Sequence, residues 1–297
     1  MYDVICYGTL CQDRIMRIAQ YPPAGGSAWI TEEKLCVGGE AANSAIAFSA
    51  WGLETLLVGT VLGRDERASW LLEALGQLPH IDASWLTASY DADTPSCNIM
   101  ATPDGERTMF GRHFNTMRGQ KLLDLPPAKV FTLDPYCGSE VITAALAADA
   151  ADMTIIAMDA MGNPALSGIA DVVVTSYQEL QPGQTQAQSE ETTRQAAIEY
   201  GVTHILTLGP NGSVAFDATG KIVHRQHSIQ IASVLDATGC GDVYRAGLVC
   251  GFIKDWPIQK TMAFASAAAT LNLMGLGGGG YVLTLEETLA IAERGTL

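Results

Sequence analysis

The stretch Asp236-Ala237-Thr238-Gly239-Cys240-Gly241-Asp242 runs directly into a helical segment at 243–253, and its reading decides the fold. Small residues and glycines just ahead of a helix leave backbone N–H groups unpaired and pointing one way. The positive end of the helix dipole adds to them, so such a turn holds an anion such as a phosphoryl group. Asp242 is out of place in an anion pocket unless its carboxylate has chemical work, and removing a proton from an attacking hydroxyl would be such work. The plainer alternative is a helix cap at Asp242 and a tight turn at the glycines. On this stretch alone both readings stand.

Outward from it, short apolar or β-branched runs recur at 3–8, 55–61, 129–134, 154–159, 171–175 and 204–209. Alanine-rich stretches with helical spacing lie between them, at 41–51, 139–152 and 190–200, with Gly52 and Gly201 where helices end. Strand and helix alternating in this way predict an α/β chain, a doubly wound and mostly parallel sheet covered by helices on both faces. Ligands on such sheets bind beyond the carboxyl ends of the strands. Two segments, about 14–36 and 94–113, break the alternation with turn signals (Pro22-Pro23-Ala24-Gly25-Gly26 and Pro103-Asp104-Gly105). They read as β-hairpins forming a small lid over the strand ends of a single domain spanning 1–297, able to shut water out of the site. Residues 181–193 read as a loop leading into a helix, and Gly277–Gly280 as a loop that is either simple punctuation or lets backbone approach a ligand.

Composition narrows the function. The 297 residues, 48% hydrophobic and 16% charged, suffice for a large core, and a net charge of −15 argues against nucleic acid or an anionic membrane as partner. An anionic ligand must then be held locally, by backbone amides, a metal ion or a few arginines. Seven scattered cysteines without a CxxC pair suggest reduced thiols. With no leader pattern and no apolar run of membrane-spanning length, a soluble, cytoplasmic protein is expected. Cys240 beside a helix start reads either as a nucleophile or, better, as a small packing residue. His224 and His227 lack a third ligand nearby and read as a surface strand or turn.

A second pair of fragments lies near the N-terminus. In Gly38-Gly39-Glu40-Ala41-Ala42-Asn43, glycines again precede a helix, and Asn43 offers a donor and an acceptor to a polyol. Asp13 follows the first strand, where an acid can take two sugar hydroxyls. Together, and in this order, these fragments and the heptapeptide resemble the two signatures of the ribokinase-like (phosphofructokinase B type) carbohydrate kinase family, with matching strand–helix order over nearly the whole chain.

The resemblance implies ATP and Mg²⁺ as co-substrate and cofactor. It places Asp242 on the catalytic base and Gly239, Cys240 and Gly241, with Asp242, on the anion hole, in a reaction that depends on positioning and charge stabilisation. Asp13, Gly39, Asn43 and Asp134 fall on sugar-binding positions. Ser176 and Glu179 fall on an Asn-x-x-Glu motif whose Glu organises Mg²⁺ through water, and Gly209 and Gly212 on the turn beside the nucleotide. Main-chain oxygens of Asp236 and Thr238, with the glycine-rich loop, overlie a monovalent-cation site (K⁺) found in some members. Three positions depart from the pattern: Ser176 replaces Asn, Glu40 stands where ribokinases often carry Lys, and Cys11 where they often carry Asn. The last two lie on the sugar side and count against ribose itself. Asp159 and Asn163 only loosely match an Asp-Pro-Asn motif and receive no role.

The expected activity is transfer of the γ-phosphate of ATP to a hydroxyl of a small sugar. A ribonucleoside is the alternative acceptor, and an inactive sugar-binding regulator a third reading that the presence of Asp242 and Glu179 disfavours. A nicotinamide enzyme is disfavoured because 8–13 lack GxGxxG, and a P-loop kinase because GxxxxGK[ST] is missing. Trp29, Met109, Phe110 and His113 in the lid either stack on a nucleobase or pack within the lid or against a second copy. The second option predicts a homodimer through the lid. Arg107 and Arg112 either hold a phosphate on a phosphorylated sugar or are solvated charges.

Overall fold

The computed structural model describes every residue except Asp104, Glu106, Gln181, Pro182 and Leu297. The expected 103–105 turn and the start of the expected 181–193 loop therefore lie partly outside the described residues. In chain order the strands are β1 (Tyr2–Gly8), β2 (Cys11–Ile18), β3 (Ile30–Gly38), β4 (Thr55–Gly59), β5 (Leu62–Gly63), β6 (Ile81–Asp82), β7 (Ala88–Ser89) and β8 (Ser96–Ala101). They continue as β9 (Arg107–Arg112), β10 (Ala128–Leu133), β11 (Thr154–Met158), β12 (Val172–Ser176), β13 (Thr203–Thr207), β14 (Ser213–Phe216) and β15 (Ile222–Gln226). The helices are α1 (Glu40–Ala50), α2 (Glu66–Gly76), α3 (Glu140–Ala150), α4 (Pro164–Ser167), α5 (Gln186–Tyr200), α6 (Cys240–Ile253), α7 (Ile258–Asn272) and α8 (Leu285–Arg294).

Nine strands form the main sheet in the order β15-β14-β13-β12-β11-β10-β1-β4-β6. All pairings from β13 to β6 are parallel, and β14 and β15 add an antiparallel edge. Successive side chains alternate between faces, as a pleated strand requires. Val4 and Cys6 of β1 join one core with Phe48 of α1, Val249 of α6 and Phe264 of α7. Ile5 and Tyr7 join the opposite core with Val141 and Ala145 of α3. Both faces are thus buried, and every β1 residue from Val4 to Gly8 is inaccessible to solvent. The chain leaves β1 toward β4 on one side and later returns as β10 on the other. That reversal opens a crevice at the carboxyl ends of β1 and β10, where open α/β sheets bind ligands.

The expected strand and helix positions agree with this fold, with one main difference at the start of a helix. Helix α5 begins at Gln186, ahead of the expected 190, because Thr185 and Gln188 form a reciprocal capping box that starts the helix inside the polar stretch. Gly201 closes it in the left-handed conformation, φ 69°. His224 falls within the edge strand β15. All seven cysteines are free thiols, and no helix among the described residues is long and apolar enough to cross a membrane.

A second sheet, β3-β2-β8-β9, is built from the two segments that broke the alternation, its pairing extending back to Cys11 opposite Gly38. Cross-strand register separates its two faces. Cys36, Asp13, Cys97 and Gly111 form one row, Lys34, Ile15, Ile99 and Met109 the next, and Glu32, Arg17, Ala101 and Arg107 a third. This face packs Ile15, Cys97 and Ile99 onto Leu276 and Leu235. The other face carries the row Leu35, Arg14, Asn98 and Phe110, with Leu35 and Phe110 exposed.

Candidate active site

Helices α1 and α6 both begin at the crevice, and both begin on a glycine with positive φ and no side-chain cap: Gly39 at 95° and Gly239 at 75°. A β-carbon on Gly39 would overlap the carbonyl of Thr9, and one on Gly239 would overlap the backbone of Gly278. Each glycine therefore permits a close approach that another residue would block. The Gly277–Gly280 loop packs against both helix starts. Gly278 packs against Asn43, and the amide of Gly277 donates to Asp236 at 2.9 Å.

The two helix starts touch. Asn43 Nδ2 donates to Asp242 Oδ2 at 2.8 Å, and Ser44 Oγ lies 3.1 Å from the carbonyl of Asp242. Asn43 and Asp242 are both buried, and the Oδ1 of Asn43 finds no partner among the described residues. The amides of Gly241 and Asp242 have no acceptor among the described residues, and Gly241 is exposed. A helix N-terminus that opens to solvent with unpaired N–H groups is suited to an anion. Burial raises Asp242 to about 7, with Asp134 and Asp159 pushing the same way and Arg245 and Asn43 opposing them. The Cys240 thiol is pushed up to about 12, chiefly by burial, which argues against a thiolate nucleophile.

Asp236 braces this turn from behind. Its Oδ1 accepts from the amide and hydroxyl of Thr238 at 2.9 and 2.7 Å, while Asn272 donates to the carbonyl of Thr238 at 2.7 Å. On the facing sheet, Asp13 is buried and accepts from the Cys11 thiol at 3.1 Å. Gly38 leaves room for its carboxylate, which burial raises to about 6. Asp134 is completely buried, with Oδ2 taking the amide of Thr9 at 2.9 Å and Oδ1 its hydroxyl at 2.9 Å. It thereby joins the ends of β10 and β1 and fixes Thr9 there.

Ser176 and Glu179 follow β12, and Gly209–Asn211 with Gly212 follow β13. Tyr177 packs against Gly209, so these two turns adjoin. Ser228 Oγ donates to the carbonyl of Pro210 at 2.5 Å and fixes the second turn. Glu179 is exposed, and its charge bears on Asp159 and Tyr136. No group of three or more potential metal ligands occurs among the described residues. A hard cation that keeps most of its waters and leans on one or two carboxylates and phosphate oxygens fits this donor set.

Three residues that the sequence leaves without a settled role converge here. Asp159 accepts from the Ser176 amide at 3.2 Å and from the Tyr136 hydroxyl at 3.0 Å, and burial raises it to about 6. Its weak match to an Asp-Pro-Asn motif was the one available signal. Arg245, one helical turn beyond Asp242, is fully buried among the elements of the site. Arg107 lies on the inner face of the small sheet, with its Nε buried and without a partner among the described residues, and its charge bears on Cys240. Arg112 belongs to the outer face and is exposed. A depression of about 680 Å³ beside α2, lined by Arg64, Glu66 and Trp70, involves none of these residues.

Comparison with known proteins identifies the family and the fold. The family model for pfkB carbohydrate kinases matches residues 1–280. The chain is 24% identical to a ribokinase of Staphylococcus aureus over 302 residues, covering 96% of this chain and 97% of that protein. It is equally 24% identical to a nucleoside kinase of Methanocaldococcus jannaschii over 283 residues, covering 93% and 92%. Among solved structures, Arabidopsis thaliana ribokinase complexed with ribose and ATP superposes with a TM-score of 0.81 at 21% identity, covering 98% and 99% of the two chains. The fold is ribokinase-like.

Proposed function

The chain belongs to the pfkB family of carbohydrate kinases, and from that premise we propose that this ATP-dependent kinase phosphorylates a hydroxyl of a small sugar, with Asp242 as general base. Asp242 accepts the hydroxyl proton, the freed oxygen attacks the γ-phosphorus of ATP, and the bond to the departing ADP breaks. The amides of Cys240, Gly241 and Asp242 hold the transferring phosphoryl group, where fixed donors act on developing charge. Arg107 supplies a cation on the facing side. The single observation that supports this reading is the Asn43–Asp242 contact beside unpaired amides, which brings the side chain read as acceptor-binding against the carboxylate read as the base.

Asp13, Gly39 and Asn43 form the sugar side, with Asp134 acting through Thr9. Ser176, Glu179, Gly209 and Gly212 form the nucleotide side. Glu179 would hold Mg²⁺ through water, and that ion would neutralise phosphate charge. Main-chain oxygens of Asp236 and Thr238 would hold a monovalent cation such as K⁺. Two copies pair through the outer face of the small sheet, the lid of the site, where Leu35 and Phe110 are exposed.

A nucleoside is the second reading, supported by the equal identity to a nucleoside kinase. The sugar is favoured because Asp13, Glu40 and Asn43 line the acceptor side with polar groups, whereas Phe110 lies on the outer face of the small sheet. An ADP-release assay over sugars, sugar phosphates and nucleosides tests the proposal. Turnover of sugars above nucleosides is expected; turnover of nucleosides alone would replace the first reading with the second, and no turnover of any would reject both.

A further inference from the structure

Arg245 is the one Lys or Arg side chain among the described residues that is fully buried. Its guanidinium reaches three other parts of the site. Nε and Nη2 donate to Ser44 Oγ at 3.3 and 2.7 Å, Nη2 to the carbonyl of Glu40 at 2.7 Å, and Nη1 to the carbonyl of Leu133 at 2.9 Å. Every one of these acceptors is neutral. The ionisable groups that feel its charge are Cys6 on β1, Glu40 on α1, Asp134 after β10, Asp159 after β11 and Asp242 on its own helix. A buried ion without a bonded counter-charge costs several kcal/mol, and neutral donors would serve the same oxygens. The positive charge therefore acts on the carboxylate cluster as a whole.

We propose that Arg245 is a positioning residue with two tasks: its charge keeps the base Asp242 ionised near neutral pH, and its hydrogen bonds lock the first turn of α1, the sugar side, onto the catalytic helix. The inference rests on the reading of Asp242 as base. Burial is the main force raising Asp242 to about 7, and Arg245 is the largest influence opposing it. Burial, then Asp134 and Asp242, also raise Glu40 well above the usual carboxylate range, with Arg245 again opposing. Without the guanidinium the cluster would retain protons, and a protonated Asp242 cannot accept one.

The test compares wild type with Arg245→Gln, Arg245→Lys and Ser44→Ala, using the acceptor found in the ADP-release panel. The acid limb of kcat/KM should move up by about one pH unit or more in the Gln variant, and stay near wild type in the Lys variant. The sugar KM should rise several-fold in both while the ATP KM holds. A Gln variant with an unmoved limb, or a Lys variant whose limb moves as far, overturns the charge task. Loss of packing alone would lower the melting temperature without moving either limb. Ser44→Ala keeps the charge and removes the acceptor of two hydrogen bonds; its sugar KM should rise with the limb unmoved, and an unchanged KM overturns the locking task even if the Arg245 variants do not fold. Melting temperature against pH reads the charge balance without turnover: between about pH 6 and 8 the Gln variant should lose stability more steeply than wild type, and parallel curves contradict the inference. Failure of wild type to phosphorylate any acceptor would count against the proposed function, whereas an active wild type with the contrary variant results would count against Arg245 alone.

Discussion

The junction of α1 with α6 and the small sheet that faces it are held together on different terms. At the junction, Gly39 and Gly239 bring backbones within contact, polar side chains cross between helices, and Asn43, Ser44, Asp242 and Arg245 are all buried. The small sheet has one packed face, and its two outer strands β3 and β9 are largely exposed. Trp29 is 85% and Phe110 55% accessible, against 6% for Asp242. Chemistry that depends on fixed dipoles and a perturbed carboxylate belongs to the rigid junction, where water is excluded and donors need not reorganise. The proposed covering of the site and pairing with a second copy fall to the exposed sheet, whose outer strands have few buried contacts.

Breaking the junction should therefore cost far more than altering the sheet. The largest loss is expected from Asp242→Asn, a fall in kcat of about a thousand-fold or more with ligand binding and folding retained. Steady-state kinetics and a thermal shift with sugar or ATP measure it, and near-normal turnover would remove Asp242 from the role of base. Asp13→Ala sits where the two regions meet. It should raise the sugar KM by about ten- to a hundred-fold, the worth of a charged hydrogen bond, and leave the ATP KM nearly unchanged; equal losses for both ligands would misplace Asp13. Phe110→Ser on the outer face should convert a dimer to a monomer in sedimentation while kcat changes by less than about three-fold, consistent with a small cost for an exposed substitution. A monomeric wild type, or a dimer that survives the change, would move the pairing surface elsewhere.

The smallest effect is a pH dependence of stability. Asp13 and Asp159 are raised to about 6 and Asp242 to about 7, chiefly by burial. Since the folded state holds these protons more tightly than the unfolded chain, their contribution is complete below about pH 4 and is lost as pH rises through 6 and 7. The ligand-free protein should melt a few degrees lower at pH 8 than at pH 5.5 by differential scanning fluorimetry. A melting temperature that rises over that interval would show that these carboxylates are not buried as described. Glu190, lowered by its Arg225 partner, has the opposite sign, but its contribution disappears only on further acidification.

The same contrast explains what was legible in the chain. Central strands such as Thr154–Met158 carry their signal locally, as short buried runs, and both helix starts carry theirs in glycines whose backbone must approach another segment. Asn43 stood out because it lies within a few residues of such a start, and Asp13 because it follows the end of the first strand. Arg245 did not, since a polar residue three positions after Asp242 has no local mark and acquires its surroundings only when α1 and β10 pack against α6. Asp159 depends in the same way on Ser176 and Tyr136, which come from different strand ends. Arg107 and Arg112 were indistinguishable in the sequence. The pleat separates them, placing one toward Cys240 and the other outside.

The central claim is that two segments 199 residues apart act as one catalytic unit through the Asn43–Asp242 contact. A double-mutant cycle in kcat/KM with Asn43→Ala, Asp242→Asn and the pair measures it most directly. The account predicts that Asn43→Ala costs about ten-fold or more in the wild-type background and little once Asp242 is already Asn, as groups that act as a unit do. The same cost in both backgrounds would show the two segments working independently and would contradict it.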